Sequence, residues 1–150
     1  MIQDSIDKDL KEAMLSGDKV KTETLRNLKS ALQNEAIRLN LKDSGLNEEQ
    51  TQKVLVREAK KRQEAADIYN GASENTRADA ELAEKSIVEA YLPEPVGEAE
   101  VEKLVNEEVS KLENPSPADM GRIIGVVRSR VGAQANGALI ARLVKQALGQ

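Results

Sequence analysis

The chain has 150 residues, of which 39% are hydrophobic and 32% charged, with a formal net charge of −4. It contains no Cys and no His, which excludes disulfides, thiol catalysis and the commonest general base and transition-metal ligand. Its only aromatic residues are two Tyr, so any core must be built from Leu, Ile, Val, Ala and Met.

The first part of the chain predicts four helices, because apolar residues recur every three to four positions and nothing alternates with a period of two. We place these helices near residues 2–16, 18–41, 48–70 and 76–91. Leu25, Leu28 and Leu32 form the clearest apolar stripe. Asn47 and Gln50 resemble a capping box at the start of the third helix.

Two proline-containing segments, at 92–97 and 114–117, interrupt this pattern, because proline removes a backbone donor and restrains the residue before it. After the first segment we predict three further helices near 98–113, 117–131 and 137–148. The predicted fold is therefore all-α. It consists of an N-terminal domain of about four helices at 1–92 and a small three-helix domain at 98–150, hinged at 93–97.

The charge is unevenly distributed along the chain. From Pro115 onward there are five basic residues and one acidic residue, a net charge of +4, so residues 1–114 carry −8. A polyanion would therefore be attracted to the C-terminal end. No run approaches the roughly 20 apolar residues that cross a bilayer. The start of the chain lacks a basic segment followed by an apolar run, so we expect no signal peptide, no membrane partner and a cytoplasmic location.

The sequence offers no set of residues that would form an active site. No Gly-rich phosphate loop occurs, and the serines are scattered rather than gathered with a lysine as in an amidase. The carboxylates alternate with basic residues, as on solvated helix faces. We predict no catalytic residue, no metal site and no cofactor.

The segment from Asp119 to Arg130 is the most informative. At about 100° per residue, Gly121 and Gly125 share a face away from the apolar stripe, with Arg122 and Arg128 at its edges. Two glycines weaken a helix, which indicates that something approaches the backbone closely there. It could be a sugar-phosphate backbone held by the arginines, or another helix packed on the small residues.

The following segment, 131–137, is rich in small residues and reads either as a simple connector or as a turn that presents backbone N–H groups to an anion. Asn136 is placed to cap the last helix, on which Arg142 and Lys145 share the polar face. Arg142 and Lys145 alone could be an ordinary solvated face, but with the two segments they could form one basic surface. Its candidate nucleic-acid-binding residues are Gly121, Arg122, Gly125, Arg128, Arg130, Gln134, Asn136, Arg142 and Lys145.

Motifs along nearly the whole chain resemble the GatB/YqeY family. They are LKEAM at 10–14, TLRNLKSAL at 24–32, KKRQE at 60–64, YLP at 91–93, DMGR at 119–122 with Gly125, and LVKQAL at 143–148. The chain departs from the family pattern before the last helix, where Ala133 and Asn136 stand in place of the usual Gly and Asp.

This resemblance implies a function in RNA binding. The C-terminal module is similar to the tail of GatB, a subunit of glutamine-dependent tRNA amidotransferase, where the tail helps to hold the tRNA. The resemblance implies a non-catalytic tRNA-binding accessory protein, with an aminoacyl-tRNA or an amidotransferase-related protein as a further partner. Two alternatives stay open: a subunit that contributes to carbon–nitrogen ligase activity with glutamine as amide donor in a complex, and a helical protein-interaction module.

The lack of catalytic residue types leads to a first prediction. Purified protein should release no ammonia from glutamine and form no amide bond, because no His, Cys or amidase-like serine cluster is present. Ammonia release is measured across successive purification columns. Turnover that follows the protein and disappears on one serine or carboxylate substitution would contradict the prediction.

Overall fold

The computed structural model describes residues 1–132 and 135–149, which contain seven α-helices, one short 3-10 turn and no β-strand. This agrees with the predicted all-α class. Contacts divide the chain into two compact units, Met1–Leu92 and Pro93–Gln150. None of the helices described is long and apolar enough to cross a lipid bilayer.

The first unit contains helices α1 (Ile2–Ser16), α2 (Lys19–Arg38), α3 (Glu48–Gly71) and α4 (Asn75–Glu89). Their apolar stripes bury a core of short aliphatic side chains, which includes Ile6, Leu25, Leu28, Leu55 and Val88. Asn47 caps α3 as expected, with its Oδ1 accepting the Gln50 N–H at 2.8 Å.

Helix α2 ends at Arg38, so the predicted end at 41 was wrong. Asn40 adopts a left-handed conformation with φ of 58°, and the N–H of Leu41 donates to the Ala36 carbonyl at 2.7 Å. This arrangement closes the helix through its own backbone. Leu39 and Leu41 still pack against the core, so their apolar character made the helix look longer than it is.

The second unit contains α5 (Glu98–Ser110), a 3-10 turn at Pro117–Asp119, α6 (Met120–Val131) and α7 (Gly137–Ala147). α5 is three residues shorter than predicted. The segment predicted to open α6 is the 3-10 turn, in which the Asp119 carboxylate accepts the Ser116 N–H at 3.0 Å. The three helices enclose a second aliphatic core, which includes Val101, Val105, Ile123, Val127, Ile140, Leu143 and Val144.

Two glycines at helix ends provide a matched test of this backbone geometry. Gly17 has φ of 75°, where an L side chain is strained, whereas Gly71 is the last residue of α3 and has no positive φ. A Cβ at either position would meet nothing within 4 Å among the described residues. We expect Gly17→Ala to lower the free energy of unfolding by about 1–2 kcal/mol. Gly71→Ala should raise it by up to about 1 kcal/mol.

The free energies of unfolding of the two variants and the parent protein are measured by urea denaturation. Equal effects of the two substitutions would contradict the left-handed assignment of Gly17.

Candidate functional site

The apolar stripe of α6 determines which of its residues face outward. Ile123 and Val127 are buried against α5 and α7. Gly121 and Gly125 lie on the opposite side and are exposed. Apart from its chain neighbours and the backbone of α6 itself, a Cβ built on either glycine would find no atom of the described residues within 4 Å. Within the second unit, no other described helix therefore packs on the glycine face, the outward side of α6 that carries Gly121 and Gly125.

Arg122 and Arg128 are exposed at the edges of the glycine face. Arg122 lies 3.5 Å from the Asp119 carboxylate, with its side chain 63% exposed. Arg128 has no carboxylate within ion-pair distance in the described part of the chain. Its guanidinium instead lies against Gly137, the first residue of α7. Arg128 is therefore a cation whose charge is not offset by an acidic partner there.

Arg130 has a different environment from Arg128. It leaves α6 on the side of α5 and donates to Glu107 at 3.0 Å and Glu108 at 3.2 Å. Its hydrogen bond to Glu107 raises the pKa of Arg130 further above its ordinary value. The hydrogen bonds from Lys111 and then Arg130 hold the pKa of Glu108 below its ordinary value. Arg130 thus ties α6 to α5 and is less available to a ligand.

The basic residues of α7 divide in the same way. Arg142 donates to Glu98 of α5 at 2.8 Å. Lys145 is exposed and has no ion pair among the residues described. Asn136 caps α7, with its Oδ1 accepting the Leu139 N–H at 3.1 Å. Gln134, also among the predicted site residues, lies outside the described residues.

Two features of this surface were missed from sequence. Gly137 begins the last helix as predicted, and in addition the Arg128 guanidinium lies beside it, 3.0 Å from the position that a Cβ would take. Val126 is 39% exposed beside Gly125, which adds an apolar side chain to the outward surface of α6. A helical-wheel projection places Val126 off the apolar stripe and could have found it, whereas the contact between Arg128 and Gly137 depends on how α6 and α7 pack.

The residues above define an all-helical protein with an open, cation-flanked helix face in its C-terminal unit. The model of the Yqey-like protein family matches residues 3–148, so the chain belongs to that family. A search of curated proteins found no match.

The ion pairs of Arg130 predict a pH-dependent contribution to stability. The pKa of Glu108 is lower in the folded protein than in the unfolded chain. Its ion pairs therefore stabilise the folded state fully at pH values above the pKa of the unfolded chain, and this stabilisation is lost as the pH falls through the pKa of the folded state. Arg130→Ala should therefore lower the melting temperature at pH 7, and this difference should shrink as pH falls below about 4.3.

Thermal unfolding of both proteins between pH 2 and 7 tests this. When Glu108 is replaced by Gln, the change in melting temperature caused by Arg130→Ala should depend less on pH. An Arg130→Ala effect of the same size at every pH would show that the ion pairs do not contribute.

Proposed function

We propose that this protein binds tRNA as an accessory factor in the cytoplasm, through the glycine face of α6 and the polar face of α7, and performs no catalysis of its own. The observation that carries the proposal is the open face at Gly121 and Gly125, flanked by Arg122 and Arg128. Membership of the Yqey-like family supports it, together with the resemblance of the C-terminal motifs to the tRNA-holding tail of GatB.

The geometry suits a phosphate backbone for two reasons. Without side chains at Gly121 and Gly125, another molecule can approach the helix backbone closely. A planar guanidinium presents paired donors that match two phosphate oxygens. Contacts of this kind position a nucleic acid and carry no sequence information themselves. The proposed surface is therefore suited to hold tRNA by its backbone.

The distribution of charge in the second unit also favours binding of a polyanion to α6 and α7. α5 contains many carboxylates, including Glu98, Glu100, Glu102, Glu107 and Glu108. Three of them, Glu98, Glu107 and Glu108, neutralise Arg142 and Arg130. Arg128 and Lys145 have no such partner among the described residues. A polyanion would be repelled by α5 and attracted to the cations of α6 and α7 that remain unpaired.

Removing the flanking arginines should weaken tRNA binding without unfolding the protein. Arg128→Ala is expected to reduce affinity at least about tenfold, because a charge-assisted hydrogen bond contributes about 1.5–3 kcal/mol. Arg122→Ala should have a smaller effect, since Asp119 lies nearby. Each lost phosphate contact should reduce the slope of log affinity against log salt by roughly 0.7–0.9. Gel shifts over a salt series measure both quantities.

Arg130→Ala is the matched control, because it removes the same charge from the same helix but from a residue paired with Glu107 and Glu108. It should change affinity less than Arg128→Ala. Equal effects of the two substitutions would indicate general charge attraction instead of binding on the glycine face.

Bulky side chains on the glycine face provide an independent test. Gly121→Leu or Gly125→Leu should block approach and weaken tRNA binding. Each should also raise the melting temperature, because leucine is the better helix former and no described atom lies within 4 Å of the new Cβ. Lower melting temperatures with unchanged affinity would identify the face as a packing surface and overturn the proposal.

A further inference from the structure

Gly137 differs from the other glycines of the chain in what surrounds it. A Cβ added to Gly137 would lie 3.0 Å from Nη2 and 3.7 Å from Cζ of Arg128. For each of the other eight of the nine glycines, no atom of the described residues lies within 4 Å of that position, apart from the chain neighbours and the backbone of the glycine's own helix. The space that a side chain would fill at Gly137 is thus occupied by the Arg128 guanidinium.

The backbone itself does not require glycine at this position. Gly137 is the first residue of α7 and is not among the residues with positive φ. Asn136 already supplies the helix cap. Glycine is the least favourable residue in a helix after proline. The feature that a larger residue would disturb is therefore the contact with Arg128.

We propose that Gly137 is a positioning residue for Arg128 in tRNA binding. This inference rests on the proposed function. Arg128 originates on α6, and its guanidinium reaches the first turn of α7. No carboxylate of the described chain holds Arg128 by an ion pair. The missing side chain at Gly137 therefore leaves room for the guanidinium beside the first turn of α7. Its charge lies at the junction of α6 and α7, where it would join the two helices into one phosphate-binding surface.

The size of the substituent should determine the effect. A Cβ at 3.0 Å from the end of a flexible side chain requires a shift of only a few tenths of an ångström. Gly137→Ala should therefore weaken binding less than threefold. Gly137→Val adds two further carbons, so it should displace the guanidinium and approach the loss expected for Arg128→Ala.

A double-mutant cycle separates positioning from a general structural effect. Affinity for tRNA and its salt dependence are measured for the parent protein, Gly137→Val, Arg128→Ala and the double variant. Gly137→Val should reduce the salt slope in the parent protein and have no further effect once Arg128 is absent. Gly97→Ala is the control, because Gly97 is the N-cap residue immediately before α5 in the same unit and a Cβ there would meet none of the other described residues beyond its chain neighbours within 4 Å.

The proximity of Arg128 to Gly137 can also be tested without RNA. In a proton–nitrogen correlation spectrum, the Arg128 Nε–H signal is identified by its loss in Arg128→Ala. It should move in Gly137→Val and stay in place in Gly97→Ala. An unmoved signal would overturn the positioning role.

The affinity results distinguish this inference from the function on which it rests. A parent protein that binds no tRNA would overturn the proposed function, whatever the spectrum shows. A different result would overturn only the positioning role of Gly137. In that case the parent protein binds tRNA and Arg128→Ala weakens binding, but Gly137→Val reduces the affinity equally with and without Arg128.

Discussion

Burial of one aliphatic stripe on α6 is the constraint on which the C-terminal surface depends. Ile123 and Val127 are 3% and 0% exposed, and no larger aromatic side chain is available to anchor the helix. Their packing against α5 and α7 fixes the rotation of α6 about its axis. That rotation places Gly121 and Gly125 outward and directs Arg128 to α7 and Arg130 to α5.

The acidic helix α5 contributes to the site although it lies outside it. By pairing with Arg130 and Arg142, its carboxylates attach α6 and α7 to α5. The same pairs reduce the number of cations that a ligand would meet. The basic residues of α6 and α7 therefore have two roles: those close to a carboxylate of α5 hold the helices together, and those without one are available to a ligand.

The sequence alone predicted the helical class and most helix bounds, because apolar spacing reflects the helical period directly. It did not predict that α2 ends at Arg38, just before the left-handed Asn40, because the apolar stripe continues through Leu41. The candidate residues on α6 follow from the period of a single helix. The pairing of Arg130 with Glu107 and the contact between Arg128 and Gly137 join different helices, so they depend on tertiary packing that spacing does not encode.

The open glycines also bear on the dynamics of α6. Each glycine in a helix interior destabilises the helix by about 1 kcal/mol relative to alanine. At Gly121 and Gly125 no described side chain packs into the space of the missing Cβ to offset this, and the side-chain contact there is a hydrogen bond from Ser129 Oγ to the Gly125 carbonyl at 3.1 Å. The first turns of α6 therefore depend almost entirely on the inward stripe, and their amide hydrogens should exchange with solvent sooner than those in the middle of α5. A ligand lying across these turns would slow that exchange, so part of its binding free energy would be used to order the helix that holds it.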